Sequence, residues 1–169
     1  MIRLAQQADA ERLLEIQQDV LQERLYLITA AHEFFQTIEG IQLWIRLKLE
    51  NKRETILVAE EEGAVVGWLA LQTQNRERLA HIGIISMMVE KAYRCKGIAE
   101  ELLVALLLWA EDNPFIEKVS GSVLSKNDCG IALYKKTGFT EEGRKIDEVK
   151  MHDTYMDEIL LYKVTRKFH

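Results

Sequence analysis

The segment YRCKGIAEELLVALLLWAEDN, Tyr93 to Asn113, joins a basic, glycine-containing turn to a strongly apolar helix. It follows the apolar run Ala80 to Val89, which we predict as a strand buried on both faces. A helix leaves its first backbone N–H groups unpaired, and its dipole is positive there. Arg94 and Lys96 add positive charge, and Gly97 lets the backbone approach a ligand closely. The turn therefore predicts an anion site at the carboxyl end of a sheet strand.

The turn by itself does not identify the anion. It lacks the GK[ST] ending of a Walker loop and the three glycines of a dinucleotide fingerprint. An ordinary solvated helix start is the alternative interpretation. The rest of the chain has to decide between the two.

Composition limits the classes of protein to consider. The 169 residues fit a single domain, residues 1–169, and 48% of them are hydrophobic, enough for a substantial core. A formal net charge of −5 argues against a general nucleic-acid binder. We find no signal-peptide pattern, and the longest apolar run, Leu102 to Ala110, is too short to cross a bilayer. These features predict a cytoplasmic protein without a membrane partner.

The hydrophobic period changes repeatedly along the chain and predicts the order β-α-α-β-β-β-α-β-α-β-β. This is a mixed α/β fold with one central sheet flanked by helices. The predicted strands are 2–5, 55–60, 64–71, 80–89, 118–124, 139–149 and 155–164. The predicted helices are one capped by Asp9, a region over 32–51 that Gly40 could split, and helices over 97–111 and 127–137.

Two motifs resemble those of the GNAT (GCN5-related) N-acetyltransferase superfamily. Arg94-x-x-Gly97-x-Ala99 is similar to its R/Q-x-x-G-x-G/A turn, which also follows a strand ending in valine. Downstream, Asn127 to Phe139 can be aligned as N-x-x-x-x-A-L-Y-x-x-x-G-F, close to the second signature of the family. The resemblance covers almost the whole chain in element order. It implies the GNAT fold, with a twisted, mostly antiparallel sheet, and acetyl-CoA as cosubstrate without a metal.

The resemblance also implies where acetyl-CoA binds. In the family the turn holds the pyrophosphate through backbone amides, and the preceding strand pairs with the pantetheine arm. Asn127 matches an asparagine that often hydrogen-bonds the cofactor, although capping the next helix is an equal alternative. Carried over to this chain, the implied cofactor-binding residues are Met87, Met88, Val89, Arg94, Cys95, Lys96, Gly97, Ile98, Ala99 and Asn127.

The catalytic candidates are Tyr134 and His81. Tyr134 matches the family tyrosine near the thioester sulfur, where a phenol can protonate the departing thiolate. An oxyanion would be stabilised by the backbone N–H of Met88 or Val89. The base is the weakest point, because the position where some relatives carry one is Gly83. His81, on the same predicted strand face, is the candidate base through water, and Glu90 is a weaker one.

The acceptor pocket is expected between the first two helices and the closing hairpin. Its candidate residues are Glu33, Phe34, Phe35, Trp44, Trp68, His152, Asp153 and Tyr155. Acidic residues there would favour a cationic amine. The resemblance thus implies an acetyl-CoA-dependent N-acetyltransferase acting on a primary amine, with a small molecule favoured over a peptide or protein amine. The alternative is a GNAT module that binds acyl-CoA without turnover. Homodimers are common in the family, and the closing hairpin is a candidate dimer surface.

Overall fold

A computed structural model describes residues 1–25 and 27–165 of the chain. Its strands are β1 (Ile2–Leu4), β2 (Thr55–Glu61), β3 (Ala64–Thr73), β4 (Ile82–Val89), β5 (Lys118–Leu124), β6 (Thr140–Met151) and β7 (Thr154–Val164). Its helices are α1 (Ala10–Gln22), α2 (Ile38–Glu50), α3 (Ile98–Asp112) and α4 (Asp128–Lys136). The predicted element order is therefore confirmed.

The seven strands form one sheet in the order β1-β2-β3-β4-β5-β7-β6. Every neighbouring pair is antiparallel except β4 and β5, which run parallel. The helix α3 connects these two strands, as a parallel crossover requires. The turn at the start of α3 consequently lies directly after the carboxyl end of β4, as the sequence predicted.

Helices cover both faces of the sheet. On one face, Leu13 and Ile16 of α1 and Ile45 of α2 pack against the first strands and are fully buried. On the other face, Leu102 and Leu106 of α3 are also fully buried, in a cluster that includes residues of β2 to β5. Burying one such side chain stabilises the fold by about 1.5–3 kcal/mol. The apolar stripe after the turn thus anchors the turn to the sheet.

The second helix begins later than the sequence pattern predicted. The region from residue 32 contains only a 3-10 turn, Ala31–Glu33, before α2 starts at Ile38. Thr37 is its N-cap, and the Thr37 hydroxyl accepts a hydrogen bond from Gly40 N at 3.0 Å. Gly40 therefore lies in the first turn of α2 and does not split the helix. Phe35, which the pattern placed on the helix, is 85% exposed.

The first helix also begins differently in detail. Asp9 precedes α1, but its side chain makes no capping bond to that helix. The carboxylate instead accepts from Gln6 N at 2.7 Å and from the Arg3 guanidinium.

In the described residues, no helix is long and apolar enough to span a membrane.

Candidate functional site

The site is built around the point where β4 and β5 separate. Their parallel pairing covers only 82–84 of β4 and 118–120 of β5. Beyond Ile84 and Ser120 the two strands diverge, while β4 remains paired with β3 up to Val89. The result is a V-shaped gap in the middle of the sheet, open toward the turn.

The register of β3 and β4 determines which backbone groups point into this gap. Glu90 N donates to Val66 O at 2.9 Å, so these two residues form a hydrogen-bonded pair. In an antiparallel ladder such pairs alternate, so Met88 directs its N–H and C=O toward β3. Met87 and Val89 direct theirs away from β3, into the gap. Of the two oxyanion donors predicted, the geometry thus favours Val89 over Met88.

The turn has an open backbone with two residues of positive φ. Cys95 and Gly97 both have positive φ, 59° and 85°, on either side of Lys96. Glu101 N donates to Gly97 O at 2.9 Å, which begins the helix. The amides of residues 98–100 precede that first helical bond and have no acceptor one turn back. A Cβ built on Gly97 would meet nothing within 4 Å, so the backbone is open to a ligand.

The two basic side chains of the turn have different partners. Arg94 donates to both carboxylate oxygens of Glu23, each at 2.7 Å, and to Val89 O at 3.0 Å. Its charge therefore ties the end of α1 to the turn and is not free for an anion. Lys96 lies over the ring of Tyr93, with its Nζ 5.0 Å from the ring centroid. Lys96 also lines a recess that contains three glutamates, Glu61, Glu62 and Glu101.

Two clefts run from this turn into the gap. The turn cleft, about 420 Å³, is lined among others by Glu23, Met87, Val89, Arg94 and Asn127. The central cleft, about 320 Å³, is lined among others by Trp68, Ser86, Met88, Ser122 and Tyr134. Both clefts share Leu27, Met87, Met88 and Asn127, so they form one continuous channel.

Tyr134 reaches this channel from α4. Its side chain is buried and packs edge-to-face on Phe139, with the ring centroids 5.1 Å apart. A Cβ built on Gly121 would lie 3.1 Å from the Tyr134 hydroxyl, so the phenol occupies space left by that glycine on β5. Burial raises the pKa of Tyr134 to about 12. The hydroxyl therefore keeps its proton at neutral pH and is a hydrogen-bond donor.

The raised pKa predicts an alkaline loss of stability. The unfolded chain releases this proton near pH 10, and the folded protein releases it only near pH 12. Below pH 10 the raised pKa of Tyr134 therefore costs the folded protein nothing. Between pH 10 and pH 12 the free energy of unfolding falls by about 1.4 kcal/mol per pH unit. Urea denaturation at pH 9 and pH 11.5 should show a smaller loss for Tyr134→Phe than for the wild type. Tyr155→Phe, at a half-exposed position, should lose stability like the wild type. Equal losses in all three proteins would contradict the prediction.

Comparisons with known proteins agree with this geometry. The sequence matches the acetyltransferase (GNAT) family over residues 10–139. The chain belongs to the GNAT acetyltransferase family. The family and the acetyltransferase class predicted from the sequence are therefore confirmed.

Individual relatives are distant in sequence and close in fold. The L-amino acid N-acetyltransferase AaaT of Escherichia coli is 27% identical over 108 residues, 64% of this chain and 67% of that protein. A GNAT-family acetyltransferase from Streptococcus pneumoniae has a TM-score of 0.92 at 23% identity, covering 97% of this chain and 98% of that one. The structure of yncA from Salmonella typhimurium, which contains acetyl-CoA, has a TM-score of 0.90 at 19% identity. The match covers 100% of this chain and 95% of the yncA chain. The predicted GNAT fold is confirmed.

In this GNAT chain Asn127 has a clear structural role. Its Oδ1 accepts a hydrogen bond from Gly130 N at 3.0 Å and caps α4. The side chain also lines both the turn cleft and the central cleft. Capping and cofactor binding are therefore compatible, and the second role stays a prediction.

The structure does not bring His81 to Tyr134. His81 precedes β4 at the end where β4 and β5 still pair, and its carbonyl accepts from the backbone of Glu117 and Lys118. It is not among the residues that line the central cleft. Its role as base stays a prediction that this geometry does not favour. Glu90, the weaker candidate, is ion-paired with Arg12.

A carboxylate that the sequence analysis missed is Glu158 on β7. It is buried, and its side chain is paired with Lys145 at 3.0 Å. Burial alone would raise the pKa of Glu158, but the neighbouring Lys145 ammonium and Ser122 hydroxyl lower it overall. Ser122 also lines the central cleft, so it links this carboxylate to the channel of the GNAT site. In sequence, Glu158 is only one polar position in a closing strand.

Two further recesses open from the central cleft on the acceptor side. The basic cleft, about 570 Å³, lies between the segment after α1 and the β6–β7 hairpin, and includes Arg24, His32, Lys150 and His152. The aromatic pocket, about 330 Å³, lies between α1, α2 and β3 and includes Phe34, Trp44 and Trp68. Leu21 and Thr29 line both recesses and the central cleft.

Some of the predicted acceptor residues line these two recesses or the central cleft, and others do not. Phe34, Trp44, Trp68 and His152 line these recesses. Among the others, Glu33 accepts from Ala30 N at 2.9 Å, and Asp153 and Tyr155 are exposed at the hairpin. The basic cleft offers no acidic group to a cationic amine, since none of its described lining residues is Asp or Glu.

Proposed function

We propose that this protein transfers the acetyl group of acetyl-CoA directly to a primary amine, with both substrates bound at once. A small-molecule amine is the favoured acceptor. The observation that carries the proposal is the gap between β4 and β5, with Tyr134 at its centre and the open turn at its end. The relative AaaT is named as an L-amino acid N-acetyltransferase, which supports a small amine.

The residues along the channel fit acetyl-CoA. The amides of residues 98–100 and the open backbone at Gly97 suit the pyrophosphate. The N–H and C=O of Met87, which point away from β3, suit the amides of the pantetheine arm, which would lie against β4 like an added strand. When bound, acetyl-CoA supplies the activated thioester. Glu23 holds Arg94, so the diphosphate would rely mainly on backbone amides.

The chemistry then depends on three groups of this chain. The Val89 N–H, directed into the gap, can donate to the carbonyl oxygen as negative charge develops on it. The Tyr134 hydroxyl, still protonated, can donate to the departing sulfur. Ser122 lines the central cleft on the strand next to Glu158, so its hydroxyl can offer the proton of the incoming amine a path toward that buried carboxylate. We propose this path in place of the water-mediated base predicted at His81.

One observation favours the alternative function, binding of acyl-CoA without turnover. Neither base candidate from the sequence lies free in the central cleft: His81 does not line it, and Glu90 is held by Arg12. A peptide or protein amine is the variant of the main proposal. Binding and turnover therefore have to be measured separately.

The test is thermal unfolding with and without acetyl-CoA, followed by thiol release on a panel of amines and peptides. Acetyl-CoA at a hundred times its dissociation constant should add about 2.7 kcal/mol to the free energy of unfolding. A shift together with thiol release supports the transferase. A shift without release on any amine supports the binding module. No shift with acetyl-CoA or CoA overturns both.

A further inference from the structure

The two recesses on the acceptor side differ sharply in chemistry. The described lining of the basic cleft contains Arg24, Lys150, His32 and His152 and no carboxylate. The described lining of the aromatic pocket contains no charged side chain of either sign. Both recesses meet at the central cleft, where Tyr134 lies. An acceptor bound there faces one cationic branch and one uncharged branch.

The charges of the basic cleft are available to a ligand. Within the described residues, neither Arg24 nor Lys150 forms a salt bridge. Lys150 lies over the ring of Tyr155, with its Nζ 5.4 Å from the centroid, a contact that leaves its charge in place. This basic lining contrasts with the net charge of −5 of the whole chain. Such a branch attracts a carboxylate or another oxyanion.

Trp68, which lines the aromatic pocket, carries an unpartnered buried donor. Trp68 is 4% exposed, and in the described part of the chain its Nε1 has no hydrogen-bond acceptor. Trp44 packs edge-to-face on Trp68, with the ring centroids 5.5 Å apart, and completes an apolar wall. Leaving a buried N–H unpaired is costly, so an uncharged acceptor atom of a ligand would relieve it. A charged group would lose its hydration there without a partner.

We propose that the acceptor is an amine with two arms: an anionic group that binds in the basic cleft, and an uncharged, largely apolar group that binds in the aromatic pocket near Trp68 Nε1. Amino acids with neutral side chains and short peptides with a free carboxylate belong to this class. The inference rests on the proposed function, because it places the acceptor beside Tyr134.

The test uses pairs of acceptors that differ in one arm, with thiol release as the assay. Tyrosine is compared with tyramine, and the dipeptide Tyr-Gly with its C-terminal amide, so the carboxylate is removed at two distances from the amine. Glutamine is compared with glutamate, so the side chain gains a charge. In whichever of the two carboxylate pairs is the better substrate, we expect removal of the carboxylate to lower kcat/KM by about tenfold or more. We expect a fall of the same size when glutamine is replaced by glutamate.

Matched variants connect each arm to its residues. Lys150→Ala should lower kcat/KM for tyrosine or Tyr-Gly about tenfold and leave tyramine within about twofold. Trp68→Phe should lower kcat/KM for glutamine more than for leucine, which has no acceptor atom in its side chain. Arg46→Ala, an exposed cation on α2 outside these recesses, should change none of these ratios.

The outcomes separate the inference from the function on which it rests. If tyramine and the amide are acetylated as well as their carboxylate partners, and Lys150→Ala has no selective effect, the anionic arm is wrong while the acetyltransferase stands. If glutamate equals glutamine, the uncharged arm is wrong. If acetyl-CoA neither binds nor is consumed, the proposed function itself fails.

Discussion

Tyr134→Phe should lower kcat by about a hundredfold or more while acetyl-CoA still binds. The phenol is buried at the centre of the channel, and its raised pKa keeps it protonated as a donor. Phenylalanine keeps the ring that packs on Phe139, so the fold should survive the change. The measurement is thiol release at saturating acetyl-CoA, together with the thermal shift that acetyl-CoA produces.

The matched control is Tyr155→Phe, which removes a hydroxyl at a half-exposed hairpin position. Its kcat should stay within about twofold of the wild type.

If Tyr134→Phe keeps full kcat, the hydroxyl is only a packing element and the departing thiolate needs no acid from this chain. If the variant instead loses the acetyl-CoA shift, Tyr134 acts in binding and its donor role is wrong.

The order of helices and strands could be predicted because the apolar residues of each element follow the spacing typical of a helix or of a strand. The apolar stripe from Leu102 to Leu106 and the alternation in β5 are local patterns, and packing did not override them. The start of α2 was missed because Phe34 and Phe35 extended an apolar pattern across a loop. The Thr37 cap is a local signal that could have corrected it, since threonine at an N-cap position begins helices.

The site could be predicted only in part, for a different reason. The turn and Tyr134 lie in contiguous motifs, so the family resemblance located them. The pairing of Arg94 with Glu23, 71 residues apart, depends on how α1 packs beside the turn. The link from Ser122 to Glu158 likewise joins two strands that are distant in the chain. The chemistry of the acceptor recesses is assembled from several such segments, so single residues in the sequence did not reveal the charge of either recess.

Gly121→Val should lower kcat about as strongly as the loss of the Tyr134 hydroxyl, because it displaces that hydroxyl. A Cβ at position 121 would lie 3.1 Å from Tyr134 Oη and 3.2 Å from Ile85 Cγ1, both of which border the gap between β4 and β5. The added methyl groups of valine have to push one of these groups aside, at a cost of about 1–3 kcal/mol in stability. Gly143→Val on β6 is the control, since a Cβ there meets nothing within 4 Å and should leave kcat unchanged.

A double-mutant cycle on stability distinguishes a specific clash from general damage to the sheet. Gly121→Ala should destabilise the wild type, and it should cost less in the Tyr134→Phe background, where the opposing oxygen is gone. Urea denaturation of the four proteins gives the coupling energy. A coupling near zero would mean that Ile85 alone resists the added methyl group, and the effect of Gly121→Val on kcat would then come from closing the gap to acetyl-CoA. In that event the variant would also lose the thermal shift with acetyl-CoA, whereas displacement of Tyr134 alone leaves that shift in place.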